Sequence, residues 1–206
     1  MAETGPIIND APGHEVASAR YGRPEGPPGV VATVVQNRGL AVVTAGRGKA
    51  AALTRAIAGS FGVELPATPR YVDGGSVAFV GLGPGRWLAV ARPAPCAGME
   101  AFLAPATKGL AAVVDQSHGL VVLRLAGPHV RDALAKFVPI DLHPRVLGPG
   151  SAASTLAGQL TVHVWLSDDA GTFELAMARS SAGTFWQTLA AAAASFGLLV
   201  ENPASP

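Results

Sequence analysis

Hydrophobic positions along this chain switch between strand-like and helix-like spacing in an order that occurs twice. Residues 39–47 alternate weakly, as a half-buried strand does, and the apolar residues Leu53, Ile57 and Phe61 that follow are spaced as on one face of a helix. Strand-like runs on either side of a glycine cluster then predict a hairpin. The first series is predicted at 39–47 (strand), 49–61 (helix), 76–80 and 86–91 (strands), 97–109 (helix) and 110–114 (strand).

The second series begins with a nearly uniform apolar run, which indicates a strand inside a sheet. Pro128 is suited to the first turn of the helix that follows. Residues 160–166 alternate as a half-buried strand, and Asp168 and Asp169 predict the turn to its hairpin partner. The series is predicted at 119–126 (strand), 128–138 (helix), 160–166 and 173–177 (strands), 181–196 (helix) and 198–200 (strand).

Each series has the βαββαβ order of a ferredoxin-like unit. We therefore predict an α+β protein with two tandem ferredoxin-like halves, a first α+β half at 30–116 and a second at 117–206. Residues 1–29 are rich in Pro and Gly without a sustained period, and we interpret them as an extended N-terminal arm. Such a segment either wraps a partner or is a disordered tail.

Composition limits the classes of function. Charged residues are 14% of the chain, against about 25% in ordinary soluble domains, so part of the surface is expected to be apolar or covered by partners. The net charge of +1 and the lack of a basic stripe argue against nucleic acid. The apolar run from Leu189 to Val200 is too short to span a membrane. A single cysteine, Cys96, and an N-terminus unlike a signal peptide favour the cytoplasm.

Asp115, Ser117 and His118 contain the residue types of a hydrolase triad. Three members within four residues of extended backbone point in alternate directions, so catalysis is the less favoured hypothesis. We interpret Asp115 and Ser117 as side chains that tie down the backbone of a structural corner. No pair among the five histidines has metal-binding spacing, and no thiolates assist, so we expect no metal. The five are His14, His118, His129, His143 and His163.

Two glycine clusters resemble phosphate-binding loops only in part. Residues 81–85 lack dinucleotide spacing and precede a strand, which favours a hairpin turn. Residues 46–49 join a strand to a helix and could accept an anion, although a plain turn is favoured. Next to the first cluster, Trp87 is predicted in the core, and Arg86 beside it is a candidate interface anchor.

Asp141 and His143 bracket a leucine before Pro144 and predict a further turn. The candidate partner-interface or structural-corner residues are thus Arg86, Trp87, Asp115, Ser117, His118, Asp141 and His143. No set of residues assembles an active site, so no catalytic or cofactor-binding residue is assigned.

Several motifs, in order, resemble the gamma subunit of heterotetrameric sarcosine oxidase over about residues 80 to 200. They are GPGRWL at 83–88, DQSH at 115–118, LRLAGP at 123–128, DLHP at 141–144, Trp165, TFEL at 172–175, and RS at 179–180 before Trp186. That subunit is similar to part of the folate-binding T-protein of the glycine cleavage system, an aminomethyltransferase. The resemblance implies the same fold in this chain.

The resemblance also implies a complex that oxidises sarcosine to glycine, with hydrogen peroxide and 5,10-methylenetetrahydrofolate as further products. It implies partners of alpha, beta and delta type, with FAD, FMN, NAD and tetrahydrofolate on subunits other than this one. In the folate enzymes, a glycine-rich strand carries a catalytic acidic residue, and here residues 157–166 contain no Asp or Glu. This departure predicts a non-catalytic subunit that has kept the fold and lost the folate chemistry.

Three alternatives to this reading stay open. A related complex acting on another N-methyl amino acid would give nearly the same sequence signals, because the substrate site lies in a different chain. A free-standing folate-binding aminomethyltransferase-like protein is disfavoured by the missing acid. The third is an unrelated tandem ferredoxin-like binding module.

Overall fold

A computed structural model describes residues 19–23, 25–167 and 171–201. The predicted N-terminal arm lies mostly outside the described residues, as do His14 and the predicted turn at Asp168 and Asp169. Within the described part, the strands are β1 (Ala19–Tyr21), β2 (Val30–Val35), β3 (Gly39–Ala45), β4 (Tyr71–Asp73), β5 (Val77–Gly83), β6 (Arg86–Ala91), β7 (Ala111–Asp115), β8 (Leu120–Ala126), β9 (Ala152–Ala157), β10 (Leu160–Leu166), β11 (Phe173–Ala178) and β12 (Leu198–Glu201). The helices are α1 (Ala50–Phe61), α2 (Gly98–Thr107), α3 (Val130–Leu134) and α4 (Ala182–Ala193), with one 3₁₀ turn at Arg179–Ser181.

The chain divides into two compact units. The five-stranded unit contains Asn37–Leu120 and Gly150–Ser154, and the seven-stranded unit contains Val121–Pro149 together with the described residues before Asn37 and after Ser154. The chain passes between the units at 36/37, 120/121, 149/150 and 154/155, and the division into halves at 30–116 and 117–206 stays a prediction. The α+β fold class is confirmed.

The five-stranded unit contains the first predicted series in its predicted order. Its sheet has the order β4-β5-β6-β3-β7, and every pairing is antiparallel. Both helices pack on one face of the sheet, because their apolar stripes and the inward strand positions form a single core. That core includes Val43, Leu53, Ile57, Phe79, Trp87, Met99 and Leu103.

The seven-stranded unit contains the second series, with a strand inserted that the sequence did not predict. Its sheet has the order β1-β12-β2-β8-β11-β10-β9. β2 pairs in parallel with β12 and antiparallel with β8, so it separates two strands of one series. α4 buries Phe185, Trp186 and Leu189, and packs against α3.

Apart from β2, the differences from the predicted elements fall at short or edge elements. β1 lies within the predicted N-terminal arm, and β4 and β9 are edge strands among glycines and prolines, where periodicity gives little signal. α3 ends at Leu134, although the sequence predicts a helix to Val138. Backbone bonds from Lys136 to Ala133 and from Phe137 to Leu134 span three residues, so the chain continues as tighter turns.

Two valines on the paired strands β3 and β7 provide a matched test of this core. Val43 is fully buried, and Val114 is 49% exposed. We expect Val43→Ala to lower the free energy of unfolding by about 2–3 kcal/mol, because it removes two buried methyl groups and leaves a cavity. Val114→Ala should cost under about 1 kcal/mol. Urea unfolding of both variants checks this, and equal losses would contradict the assigned strand faces.

Candidate functional site

The corner after β7 is held by two side chains that bond the backbone of other elements. The Asp115 carboxylate accepts hydrogen bonds from the backbone N–H of Ser117 at 2.9 Å and of Met99 at 2.9 Å. Met99 lies in the first turn of α2, whose N-cap residue provides no side-chain bond. Asp115 therefore supplies the cap, and its negative charge suits the helix N-terminus.

Ser117 joins the same corner to the start of β3. Its hydroxyl accepts from the Leu40 backbone N–H at 3.0 Å and lies 3.4 Å from the Leu40 carbonyl oxygen. The carboxylate and the hydroxyl, two of the three groups that a hydrolase triad would use, are thus engaged with the backbone. This geometry supports the structural-corner hypothesis over catalysis.

The environment of Asp115 stabilises its charged form. Burial acts to raise the pKa of the carboxyl, but hydrogen bonds from the side chain and backbone of Ser117 and from Met99, together with the nearby His118, outweigh it and lower the pKa. A carboxylate held in this way contributes to folding only while it is ionised.

Arg86 and Trp87 point to opposite faces of the five-stranded sheet. Trp87 is 4% exposed, belongs to the core and donates its indole N–H to the Pro66 carbonyl oxygen at 2.9 Å. Arg86 is exposed and lies opposite Thr44 on β3. The indole is therefore a core group, and Arg86 is the one of the two that a partner could reach.

Asp141 and His143 shape a loop of the seven-stranded unit. Asp141 accepts from the backbone N–H of His143 at 2.8 Å, and His143 Nδ1 accepts from the backbone N–H of Arg145 at 3.2 Å. Arg131 donates to the carbonyl oxygens of Leu142 and Leu147 and so ties the loop to α3. The Asp141 and His143 side chains therefore fix the local backbone of the loop.

The structure thus distributes the predicted site residues over three places. Asp115, Ser117 and His118 are together at the corner. Arg86 is at the other end of the same sheet, because β3 pairs with it through Thr44 and with Asp115 through Ala41. The third place is the Asp141 loop. Among the described residues, no group of His, Cys, Asp and Glu side chains could hold a metal ion.

A polar cluster inside the seven-stranded sheet was missed by the sequence analysis. Glu174 on β11 is fully buried. One carboxylate oxygen accepts from Arg124 on β8 at 2.9 Å, and the other accepts from the Trp165 indole N–H on β10 at 3.0 Å. The Arg124 side chain is 46% exposed, so a guanidinium group at the surface pairs with the buried Glu174 carboxylate. Glu174 and Trp165 lie in predicted strands, and only their register brings them together.

A second missed cluster holds the edge strand β4. Arg92 Nη2 lies 2.7 Å from both the Tyr71 hydroxyl and the Asp73 carboxylate, and the hydroxyl donates to Asp73 at 2.9 Å. Burial is the main reason that the pKa of Tyr71 is raised to about 12. Burial acts to raise the pKa of Asp73, but the hydrogen bonds that it accepts from Gly75, Tyr71 and Arg92, together with the charge of Arg92, outweigh burial and lower this pKa. The cluster fastens β4 to the end of β6.

Comparison with known proteins identifies the family of this chain. A model of the sarcosine oxidase gamma subunit family matches residues 45–195. The chain belongs to this family. The family membership that the motifs indicated is confirmed.

Two curated relatives are similar over part of their length. The sarcosine oxidase subunit gamma of an Arthrobacter species is 32% identical over 123 residues, which are 58% of this chain and 60% of the relative. That of Corynebacterium sp. strain U-96 is 33% identical over 112 residues, 53% of this chain and 54% of the relative. The matches therefore span little more than half of each relative.

Two solved structures match at the level of fold. A chain of heterotetrameric sarcosine oxidase from Corynebacterium sp. U-96, in complex with pyrrole 2-carboxylate, has a TM-score of 0.72 at 26% identity. The match covers 84% of this chain and 87% of that one. The glycine cleavage system aminomethyltransferase T from Bartonella henselae has a TM-score of 0.54 at 17% identity, over 79% of this chain and 45% of that chain. The second likeness shows a shared fold.

The Asp115 corner predicts a pH-dependent contribution to stability. Asp115→Asn should lower the free energy of unfolding by about 1–2 kcal/mol at pH 7, because it removes the charge and one acceptor of a backbone N–H. The carboxyl pKa is lower in the folded protein than its ordinary value of 3.8, so the stabilisation is present above that value and is lost as the pH falls through the folded pKa.

Urea unfolding between pH 3 and pH 7 measures this difference, which should shrink on acidification. Glu64→Gln, at an exposed carboxylate in the same unit, is the matched control and should change stability by under about 0.5 kcal/mol. A difference between Asp115→Asn and the parent that stays constant with pH would contradict the proposed role of the charge.

The Glu174 cluster predicts strong coupling between its members. Arg124→Met should cost about 2–4 kcal/mol, because it leaves a buried carboxylate without its cation. The double variant Arg124→Met/Glu174→Gln should be more stable than Arg124→Met alone, since no buried charge remains and Gln still accepts from Trp165. Thermal unfolding of the parent, both single variants and the double variant measures the coupling, and additive losses would refute it.

Proposed function

We propose that this chain is the non-catalytic gamma-type subunit of a heterotetrameric sarcosine oxidase complex, in which it stabilises the flavin-bearing alpha and beta subunits. The observation that carries this proposal is the likeness to a chain of heterotetrameric sarcosine oxidase, which covers 87% of that chain. The family match over residues 45–195 supports it. The chain then acts as part of an oxidoreductase without contributing a reacting group.

In the proposed complex, sarcosine is oxidised to glycine, oxygen is reduced to hydrogen peroxide, and tetrahydrofolate captures the one-carbon unit as 5,10-methylenetetrahydrofolate. FAD, FMN, NAD and tetrahydrofolate would bind to the other subunits. The alpha, beta and delta subunits are the proposed partners, and the cytoplasm is the proposed location. The single cysteine, Cys96, which is exposed and free, fits a reducing compartment.

We expect no cofactor to bind to this chain itself, and three features support this expectation. Residues 157–166 offer no carboxylate to a folate, and the Glu174 carboxylate is buried and engaged by Arg124 and Trp165. Residues 81–85 lie at the β5–β6 hairpin, and they do not lead into a helix as a dinucleotide-binding turn must. In the proposed complex, this chain therefore contributes through its folded surface.

Co-expression tests the proposal directly. We expect the tagged chain, expressed together with the genes beside its own, to purify with two larger chains as a yellow complex that oxidises sarcosine and releases peroxide. Flavin absorbance and a peroxide assay on the purified complex are the readouts. A colourless protein that purifies alone would refute the subunit role, and tetrahydrofolate titration would then test the folate-binding alternative.

The substrate is tested in the same preparation. Sarcosine should be oxidised faster than other N-methyl amino acids such as N-methylglutamate. A yellow complex with the opposite preference would keep the subunit role and replace sarcosine as the substrate.

A further inference from the structure

Charge is unevenly distributed between the two ends of the five-stranded unit. The unit contains eight Lys and Arg residues against four Asp and Glu residues, a formal charge of +4. Four of the cations are in or beside the turns at one end of the sheet, and all four are exposed. They are Arg47, Lys49, Arg86 and Lys108, and we call this surface the basic end.

Backbone hydrogen bonds bring the three turns of the basic end together. Gly46, after β3, donates to the Leu110 carbonyl oxygen before β7 at 2.8 Å, and Ala45 donates to the Gly85 carbonyl oxygen at 2.9 Å. The Lys49 ammonium also donates to the Gly109 carbonyl oxygen at 2.7 Å. The turns that carry the four cations are therefore direct neighbours.

The acidic residues of the unit lie towards the other end. Asp115 caps the start of α2, Glu100 lies in its first turn, Asp73 pairs near the start of β5, and Glu64 follows the C-terminus of α1. α1 runs from the basic end for 12 residues, a length of about 18 Å. This length exceeds the Debye length of about 8 Å at physiological salt. The carboxylates at the far end therefore do little to reduce the positive potential at the basic end.

The cations are spread over both sides of the sheet end. Trp87 faces the helices, so Arg86 beside it projects from the opposite face, whereas Arg47 and Lys49 lie at the start of α1. The exposed residues between them include the small apolar residues Ala50, Pro84 and Ala112 and the polar Thr44. A broad surface of separate cations with apolar groups between them matches the surface of a protein better than a single small anion.

We propose that the basic end of the five-stranded unit is the surface on which an acidic face of another subunit of the complex docks. This inference rests on the proposed function, because it requires that the chain has such partners. Charge complementarity favours an acidic protein surface as the occupant, since a field of one sign steers an oppositely charged partner and excludes surfaces of like charge. Arg86 and Arg47 are the expected anchors, because arginine is enriched at protein interfaces and lysine is depleted.

Competition during assembly tests this inference. The parent chain with one tag and a variant with another are co-expressed together with the neighbouring genes, and mass spectrometry measures the ratio of the two in the purified complex. We expect Arg86→Glu and Arg47→Glu each to be incorporated about tenfold less than the parent, because each places a like charge against the acidic face.

Arg55→Glu is the matched control. Arg55 is exposed in the middle of α1, in the same unit but away from the basic end, so the same change of charge should leave incorporation within about twofold of the parent. Thermal unfolding of each free variant establishes that it is folded, and Arg47→Glu serves as the second variant if Arg86→Glu is less stable.

The outcomes separate the two proposals. Assembly of the parent with equal incorporation of Arg86→Glu and Arg47→Glu would overturn the docking surface and leave the subunit role intact. An equal loss for Arg55→Glu would also overturn it, because overall charge would then suffice. Failure of the parent itself to join any larger chain would refute the subunit role, and this inference with it.

Discussion

The pairing of β2 with β12 and β8 is the constraint on which the seven-stranded sheet depends. β2 lies before the whole five-stranded unit in sequence, and β12 is the last described strand. Without β2, the two outer strands β1 and β12 would have no neighbour that joins them to β8. The middle of the sheet is therefore completed by a segment from outside its own βαββαβ series, and the five-stranded unit is an excursion of the chain between β2 and β8.

Elements with a strong hydrophobic period could be predicted from the sequence. The strands and helices of both series lie where alternation or helical spacing placed them, because each buries one face against a local partner. β2 is apolar on both faces and has no period that distinguishes it from a linker, and its pairing depends on segments far away in the chain. β9 was missed for a different reason, because it is an edge strand beside its sequence neighbour β10 and its residues show little periodicity.

Local polar contacts were more accessible to prediction than distant ones. Asp115 bonds the backbone of Ser117 two residues away, so this part of the corner was visible in the local sequence. The bonds of the same corner to Met99 and Leu40 join it to distant elements and could not be predicted. Glu174 receives its cation from Arg124, fifty residues earlier, through a side-chain pair that exists only once β8 and β11 are neighbours. The charge segregation of the five-stranded unit likewise needs the structure, because the four cations of the basic end come from separate turns.

The buried Glu174 has a consequence for the alignment of its strand. Successive residues of a strand face opposite sides of the sheet, so a shift of β11 by one residue would carry the carboxylate to the other face, away from both Arg124 and Trp165. The other residues of β11, which are Phe, Leu, Ala and Met, would tolerate such a shift better than Glu174 does, because apolar residues of this strand are buried on both faces of the sheet. Glu174, the single charged residue in β11, thus fixes the register of the strand. It raises the free energy of misaligned pairings more than it lowers that of the correct pairing.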